Sequence, residues 1–427
     1  MAVTVAMVDA LAAAAREVLR LERASDAVLA AFFRAHPKLG RNERAFVAEG
    51  VYALLRRKRL VELAVAETGV ASPSARALAL AAAVRVRGLN LRELGGAVRP
   101  DEARWLQEVK GAARGELAFA VDCDLPDWTI ARLLPGLGPA SLARLAHALN
   151  QPAPLDLRVN LVRADRDTVV AQLAADGIAA VPTPYSPFGL RLAEKPALAK
   201  HPLFRAGAIE VQDEGSQLLC ALLAPRRGEM VVDFCAGAGG KALALGAQMR
   251  STGRVYAFDT AERRLAKLGP RLARSGLSNV HPQHIAGERD PRVKRLFGKI
   301  DRVLVDAPCT GLGTLRRNPD LKWRQGEGAV AELACKQGAI LAAAAGLVRP
   351  GGRLLYATCS LLPEENEGIV RAFLERHPAF ALVPATAALA TDRIVLPPGE
   401  PADECLRLRP DVHGTDGFFA ALLARRE

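Results

Sequence analysis

The sequence predicts an α/β fold in three parts: an all-α domain over residues 1–122, a helical linker with a small α+β subdomain over 123–206, and a Rossmann-like domain over 207–427. Three observations carry this reading. Apolar residues recur at helical spacing in the first part, prolines and strand-like alternation enter in the second, and short apolar runs alternate with helical stretches in the third.

In the first part, Leu29, Phe32 and Phe33 share a helical face, and Ser25 is the expected cap of that helix. The break at residues 37–40 ends it. A second face follows at Phe46, Val47, Gly50, Val51, Leu54 and Leu55, closing in Arg56-Arg57-Lys58-Arg59. Such a basic cluster is either a solvated helix end or a binding patch. Ser72-Pro73 reads as an N-cap followed by proline in the first turn. The stretch 1–21 carries Asp9, Arg16 and Glu17 at helical spacing, without the basic start and cleavage pattern of a signal peptide.

In the second part, Pro126, Pro135, Pro139, Pro152 and Pro154 punctuate short helices. Residues 155–161 alternate like a strand, 166–176 read as a helix, Gly177 turns, and 178–181 and 189–192 are strand-like. In the third part, 230–234, 254–258, 302–305 and 353–356 are short apolar runs separated by helical stretches. They predict a parallel sheet with crossover helices, and so a ligand crevice at the carboxyl ends of its strands.

Lys and Arg total 58 against 46 acids, a net charge of +12. That excess suits a polyanionic partner, since basic side chains neutralise phosphates and release counterions; GC-rich coding inflates Arg as well. The seven cysteines form no CxxC pair and are widely spaced, which excludes a disulfide framework and a zinc site and points to a reducing, cytoplasmic setting. No charge-free apolar stretch is long enough to span a bilayer. Neither a metal nor a membrane is therefore an expected partner.

The first strand-like run leads into Asp233-Phe234-Cys235-Ala236-Gly237-Ala238-Gly239-Gly240-Lys241-Ala242. Glycines there allow a tight turn and close ligand approach, and the following helix presents unpaired N–H groups to an anionic group. A P-loop is excluded, because Lys241 precedes Ala242 and the glycine spacing is wrong. A dinucleotide loop fits Gly237, Gly239 and Ala242, with Asp259 where a ribose-binding acid belongs. An S-adenosylmethionine loop fits the same glycines, adding Asp233 for the methionine ammonium and Asp259 for the ribose hydroxyls. Taken alone, the loop leaves both cofactors open.

Two further strand ends each carry a cysteine: Asp306-Ala307-Pro308-Cys309-Thr310-Gly311 and Thr358-Cys359-Ser360. Two thiols, a carboxylate and a methyl-donor loop converging on one crevice point to one chemistry. Carbon 5 of cytosine is a poor nucleophile until a thiolate adds to carbon 6 and makes the ring enamine-like. A carboxylate hydrogen-bonded to the ring nitrogen and amino group favours that adduct, and Asp306 is placed for it. The second cysteine then serves in release. Cys235 reads as packing, and Cys123, Cys220, Cys335 and Cys405 as structural.

These motifs resemble those of the Sun (Fmu-type) family of RNA cytosine carbon-5 methyltransferases. The likeness extends to Asp127-Trp128, Arg158-Val159-Asn160, residues 211–216, residues 317–323 and Asp416-Gly417-Phe418-Phe419, and covers about 125–426. It implies S-adenosylmethionine as cofactor, small-subunit (16S) rRNA as substrate, and an RNA-recognition-like subdomain before the catalytic sheet. The amino-terminal helices are similar to the NusB-like domain of bacterial rRNA members. By position, the resemblance makes Cys359 the nucleophile, gives Cys309 the release step, sets Asp306 on the cytosine and the cofactor side, and places Lys241 beside Asp306. The adenine-facing acid is Glu288 or Asp290, with Glu288 favoured. Gly237-Ala238 stands where the family often has Ala-Pro, and Thr310 where it has Ser.

Arg316, Arg317, Lys322 and Arg324 follow the Cys309 loop and are candidate phosphate ligands or a solvated face. Arg158 and Asn160 join that RNA-facing set. A DNA cytosine methyltransferase, with the Pro-Cys thiol attacking, lacks support because no large recognition insert separates the motifs. A silent RNA-binding assembly factor has no need of Cys309 and Cys359, and an NAD oxidoreductase has no use for paired thiols.

Overall fold

The computed structural model describes residues 3–391, 393–397 and 404–427. Residues 1 and 2 of the amino-terminal stretch, and 392 and 398–403 of the third part, lie outside the described residues. The chain forms two compact units, 1–152 with 314–327, and 153–313 with 328–427.

The first unit is helical. Helix Val5–Val18 starts on Thr4, whose side chain accepts from the Met7 N–H, and buries Met7, Leu11, Ala15 and Val18 along one stripe. That stripe meets the apolar faces of Arg41–Arg56 and Ala75–Arg85 in one core. Two caps differ from expectation. Ser25 is already helical, and its hydroxyl is 2.6 Å from Asp320 Oδ1 rather than on its own helix. Ser74, rather than Ser72, caps Ala75–Arg85 through the Ala77 N–H. Proline two residues ahead of a helix leaves the capping site free to slide to the next serine. Three members of the basic cluster are in ion pairs, Arg57 with Asp124, Lys58 with Glu62 and Arg59 with Asp127, while Arg56 donates to the Arg316 carbonyl.

The second unit holds two sheets. In the small one, β1 (Leu155–Val159), β2 (Ala180–Pro182), β3 (Gly189–Leu192) and β4 (Ile209–Val211) run antiparallel in the order β2-β3-β1-β4. Helix Arg166–Ala175 packs Val169 and Leu173 onto it. The large sheet contains β5 (Met230–Asp233), β6 (Arg254–Asp259), β7 (Val280–His284), β8 (Ile300–Asp306), β9 (Val348–Thr358), β10 (Phe380–Val383), β11 (Cys405–Leu408) and β12 (Phe418–Arg425). Its order is β10-β12-β9-β8-β5-β6-β7, with β11 on β12.

The four runs expected to form a parallel sheet do so as β5, β6, β8 and β9, and the sheet is extended by further strands. Strands β9, β8, β5, β6 and β7 are parallel, whereas β12 lies antiparallel between β9 and β10. Strand β12 follows the one-turn helix Pro410–His413 directly, and an antiparallel neighbour of β9 needs no long crossover. Strand order reverses between β5 and β8, so the loops after these two strands diverge and open the crevice. Apolar clusters cover both faces of the sheet, which keeps the strand ends in fixed register.

Candidate active site

Four strand ends build the site. β5 delivers Asp233 and the glycine loop, β6 delivers Asp259, β8 delivers Asp306 and the Cys309 loop, and β9 delivers Thr358 and Cys359. The β8–β9 register pairs Asp306 with Ala357, which brings the two cysteine loops side by side. Cys309 Sγ and Cys359 Sγ lie 3.4 Å apart as free, half-buried thiols. Contact with Cys359, then burial, pushes the Cys309 thiol well up, so Cys309 holds its proton.

Beside them, Lys241 Nζ meets Asp306 Oδ2 at 2.7 Å. Burial lowers the Lys241 pKa, but the Asp306 charge and hydrogen bond, with the more distant Asp233, together outweigh it and raise it, keeping the ammonium charged. The same ammonium sits over the Phe418 ring, 5.6 Å from its centroid.

The glycine loop is tightly shaped. Gly239 has φ +80°, and a Cβ there would stand 2.2 Å from Leu268 Cδ1. Gly237 has φ +55° and donates its N–H to Asp259 Oδ2 at 2.7 Å, while Asp259 Oδ1 accepts from the Ala261 N–H at 2.6 Å. Arg271 donates to the Ala238 carbonyl at 2.6 Å and bonds Glu210, tying the loop to β4. Ala236 and Gly240 complete the turn into helix Gly240–Gln248. Cys235 is largely buried, which pushes its thiol well up and suits packing.

Asp233 supplies the test of cofactor fit. Both of its carboxylate oxygens are buried without a hydrogen-bond partner. Burial first, and the nearby Asp306 charge next, push its carboxyl up to about 7. A buried carboxylate of this kind costs free energy until a cationic donor meets it. The methionine ammonium of S-adenosylmethionine is such a donor, so the residues present fit that group. Of the two candidate adenine-facing acids, Asp290 is engaged: its oxygens accept from the Arg292 and Ala286 N–H groups. Glu288 is half-exposed on the same loop.

Sequence reasoning missed Glu365. It is fully buried and accepts from the Thr310 N–H at 2.9 Å, the Thr310 hydroxyl at 2.6 Å, Gln337 Nε2 at 3.0 Å and the Ser360 hydroxyl. Thr310 follows Cys309 and Ser360 follows Cys359, so one carboxylate ties both cysteine loops. Glu364-Glu365-Asn366 after Pro363 was the available signal, an acidic run six residues behind Cys359 with no periodicity to mark it.

The expected RNA ligands fare differently. Arg158 is buried and donates to Gln212 and to the Gly240 carbonyl. Asn160 is buried and donates to the Gly207 and Ser275 carbonyls. Arg158 thus ties the small sheet to the glycine loop and Asn160 ties it to the end of helix Leu268–Ser275, and neither faces solvent. Lys322 is also buried, and its ammonium donates to the Arg56 and Asp124 carbonyls and to Asn150 Oδ1. All three of its protons are spent within the helical unit, and burial lowers its pKa to about 7. Arg324 pairs with Asp320, and Arg316 and Arg317 are half-buried in the same unit. Cys335, expected to be structural, is exposed.

Comparison with known proteins agrees with this arrangement. The family described as 16S rRNA methyltransferase RsmB/F matches residues 220–424, and the ferredoxin-like domain of RsmF/B-like methyltransferases matches 125–199. The chain is 30% identical over 441 residues to the probable ribosomal RNA small subunit methyltransferase B of Synechocystis sp., across 96% of this chain and 97% of that protein. It is 37% identical over 301 residues to the ribosomal RNA small subunit methyltransferase B of Sodalis glossinidius, across 70% of this chain but only 65% of that relative's length. The solved protein PH0851 superposes with a TM-score of 0.79 at 28% identity, across 99% of each chain. With the whole length aligned to the Synechocystis protein at that identity, the chain belongs to the RsmB/F family of 16S rRNA methyltransferases.

Proposed function

We propose that the protein methylates carbon 5 of a cytosine in 16S rRNA, using S-adenosylmethionine and a covalent bond from Cys359 to carbon 6 of the ring. The observation that carries this is the pair of free thiols 3.4 Å apart next to the Lys241–Asp306 ion pair. S-adenosylmethionine, bound along the glycine loop, supplies a methyl group on a positively charged sulfonium. Asp233 takes the ammonium end and Asp259 the ribose, with Glu288 the remaining acid for the adenine.

Cys359 as thiolate adds to carbon 6, and the ring's electron pair moves to carbon 5, which takes the methyl. Asp306, aligned by Lys241, accepts from the cytosine amino group and orients the ring, and the Lys241 ammonium beside it offsets the negative charge that thiolate addition brings. Elimination then reforms the double bond: the Cys309 thiol gives its proton to the departing Cys359 sulfur, 3.4 Å away, and the Cys309 sulfur takes the carbon-5 proton, so both leave the step as thiols. Cys309 stands where it can assist that step. The target base must leave its stack to reach strand ends this enclosed.

The test is denaturing gel analysis of variants incubated with unmethylated 16S rRNA and cofactor. Cys359→Ser is expected to lose methyl transfer and form no adduct, and Cys309→Ser to accumulate a protein–RNA adduct. An adduct from Cys359→Ser with none from Cys309→Ser overturns the assignment. An active Cys359→Ser enzyme overturns the covalent route.

A further inference from the structure

On the same two strands but toward the end away from Asp306 and Cys359, Arg302 of β8 pairs directly with Arg353 of β9. Residues in register on neighbouring strands point to the same face, with Cβ atoms only about 5 Å apart, and like charges so placed destabilise a sheet. One arginine of the pair is neutralised. Arg302 forms a bidentate contact with Glu229 at 2.6 and 3.1 Å and donates to the Leu223 carbonyl at 2.6 Å. Among the described residues, neither the guanidinium of half-buried Arg353 nor that of the exposed Arg226 has a hydrogen-bond or ion-pair partner. Burial, followed by the Arg302 and Arg226 charges, lowers the Arg353 pKa against a smaller opposing pull from Glu229, which is already spent on Arg302.

These three arginines and Arg250 line a cavity of about 650 Å³ whose other walls include Phe188 and Ile394. Arg250 is spent on the Leu161 carbonyl at 2.5 Å. Helices Glu214–Leu223 and Gly240–Gln248 end here, and arginines often serve only to satisfy such carbonyl ends. Arg302 does that. Arg353 and Arg226 touch no carbonyl, so this role does not explain them.

We propose that this cavity is a nucleotide-phosphate site, with Arg353 and Arg226 binding the phosphate and the Phe188 wall receiving the base or sugar. The guanidinium fork matches phosphate oxygens, and the volume falls within the roughly 300–1,000 Å³ of small-ligand sites. Arg302 and Asp306 are four residues apart on one strand, about 13 Å, so a phosphate here is not that of the target nucleotide. It belongs either to a distant part of the RNA chain or to a free mononucleotide.

The experiment uses the full chain, with AMP binding followed by calorimetry in the presence of S-adenosylhomocysteine, and binding of a labelled single-stranded RNA by anisotropy across a salt series. Only the RNA arm leans on the RNA-methylation reading; the AMP arm stands without it. Arg353→Ala and Arg226→Ala are each expected to weaken AMP about tenfold. If the site holds RNA, both also weaken the oligonucleotide and reduce its log–log salt slope by about 0.7. Loss of AMP affinity alone assigns a free nucleotide, and loss of RNA affinity alone assigns the RNA backbone. Arg226 is exposed, so its alanine variant is expected to melt like the wild type and guards against loss of fold. Unchanged affinity for both probes in both variants overturns the proposal.

Discussion

Replacing Glu365 by alanine tests whether one buried carboxylate sets the spacing of the two active-site thiols. The side chain is fully buried and accepts four hydrogen bonds, two from Thr310, one from Gln337 and one from Ser360. Bonds to an ionised acceptor contribute about 1.5–3 kcal/mol each but do not add, and removing the hub of a buried network costs about 3–5 kcal/mol. Glu365→Gln keeps the shape but turns an amide N–H₂ toward donors, so it should cost about 1–3 kcal/mol. Since Thr310 and Ser360 each adjoin a cysteine, a shift of about 1 Å is expected, and such misplacement lowers turnover about 100-fold. Denaturant melts read the first effect and methyl transfer to 16S rRNA the second. A third readout is independent of the reaction: the rate at which diamide joins Cys309 to Cys359 as a disulfide should fall in both variants. A Glu365→Ala protein that melts within about 0.5 kcal/mol of the wild type refutes the network argument. One that is destabilised but keeps its turnover and its disulfide rate refutes the positioning argument.

Two more predictions concern the cofactor loop. Gly239→Ala combines a φ of +80° with a Cβ 2.2 Å from Leu268 Cδ1, which should cost about 2–4 kcal/mol and weaken S-adenosylhomocysteine in equilibrium dialysis. Wild-type affinity there would show that the loop's shape is not what holds the cofactor. Asp233 has a folded pKa near 7 against an unfolded value of 3.8, so between about pH 4 and 7 the folded chain holds a proton that the unfolded chain has lost. Stability of the cofactor-free protein should therefore fall as pH rises through that window, by about 4 kcal/mol at most, and Asp233→Asn should remove the slope. S-adenosylhomocysteine affinity should rise over the same interval as the carboxylate ionises to meet the ammonium. A flat affinity from pH 5 to 8 would separate Asp233 from that ammonium.

Much of the site was legible because strand-end loops carry their chemistry in contiguous motifs. The run Asp233 to Lys241, the pair Asp306 and Cys309, and Cys359 each sit just past an apolar strand, and the structure brings them to one crevice. The helix and strand texture of all three parts could also be read from periodicity. Ser25, Arg158, Asn160 and Lys322 could not. A hydroxyl, guanidinium, amide or ammonium looks solvent-facing in a sequence, and its burial depends on partners such as Asp320, Gly240, Ser275 and Asp124 that lie tens to hundreds of positions away. Strand β12 was hidden for a related reason. An antiparallel insertion into a parallel sheet leaves no connection length or helix to announce it.

The sequence by itself determined the class of fold, the cofactor loop and the two cysteines, since local spacing sets secondary structure and places motif residues at strand ends. Only the tertiary structure decided that the sulfurs stand in contact, that Glu365 joins their loops, and that Arg302 and Arg353 share a face. Each of those facts is a long-range register or distance, fixed by how strands pair and cores pack, and carries no signature in any short stretch of chain.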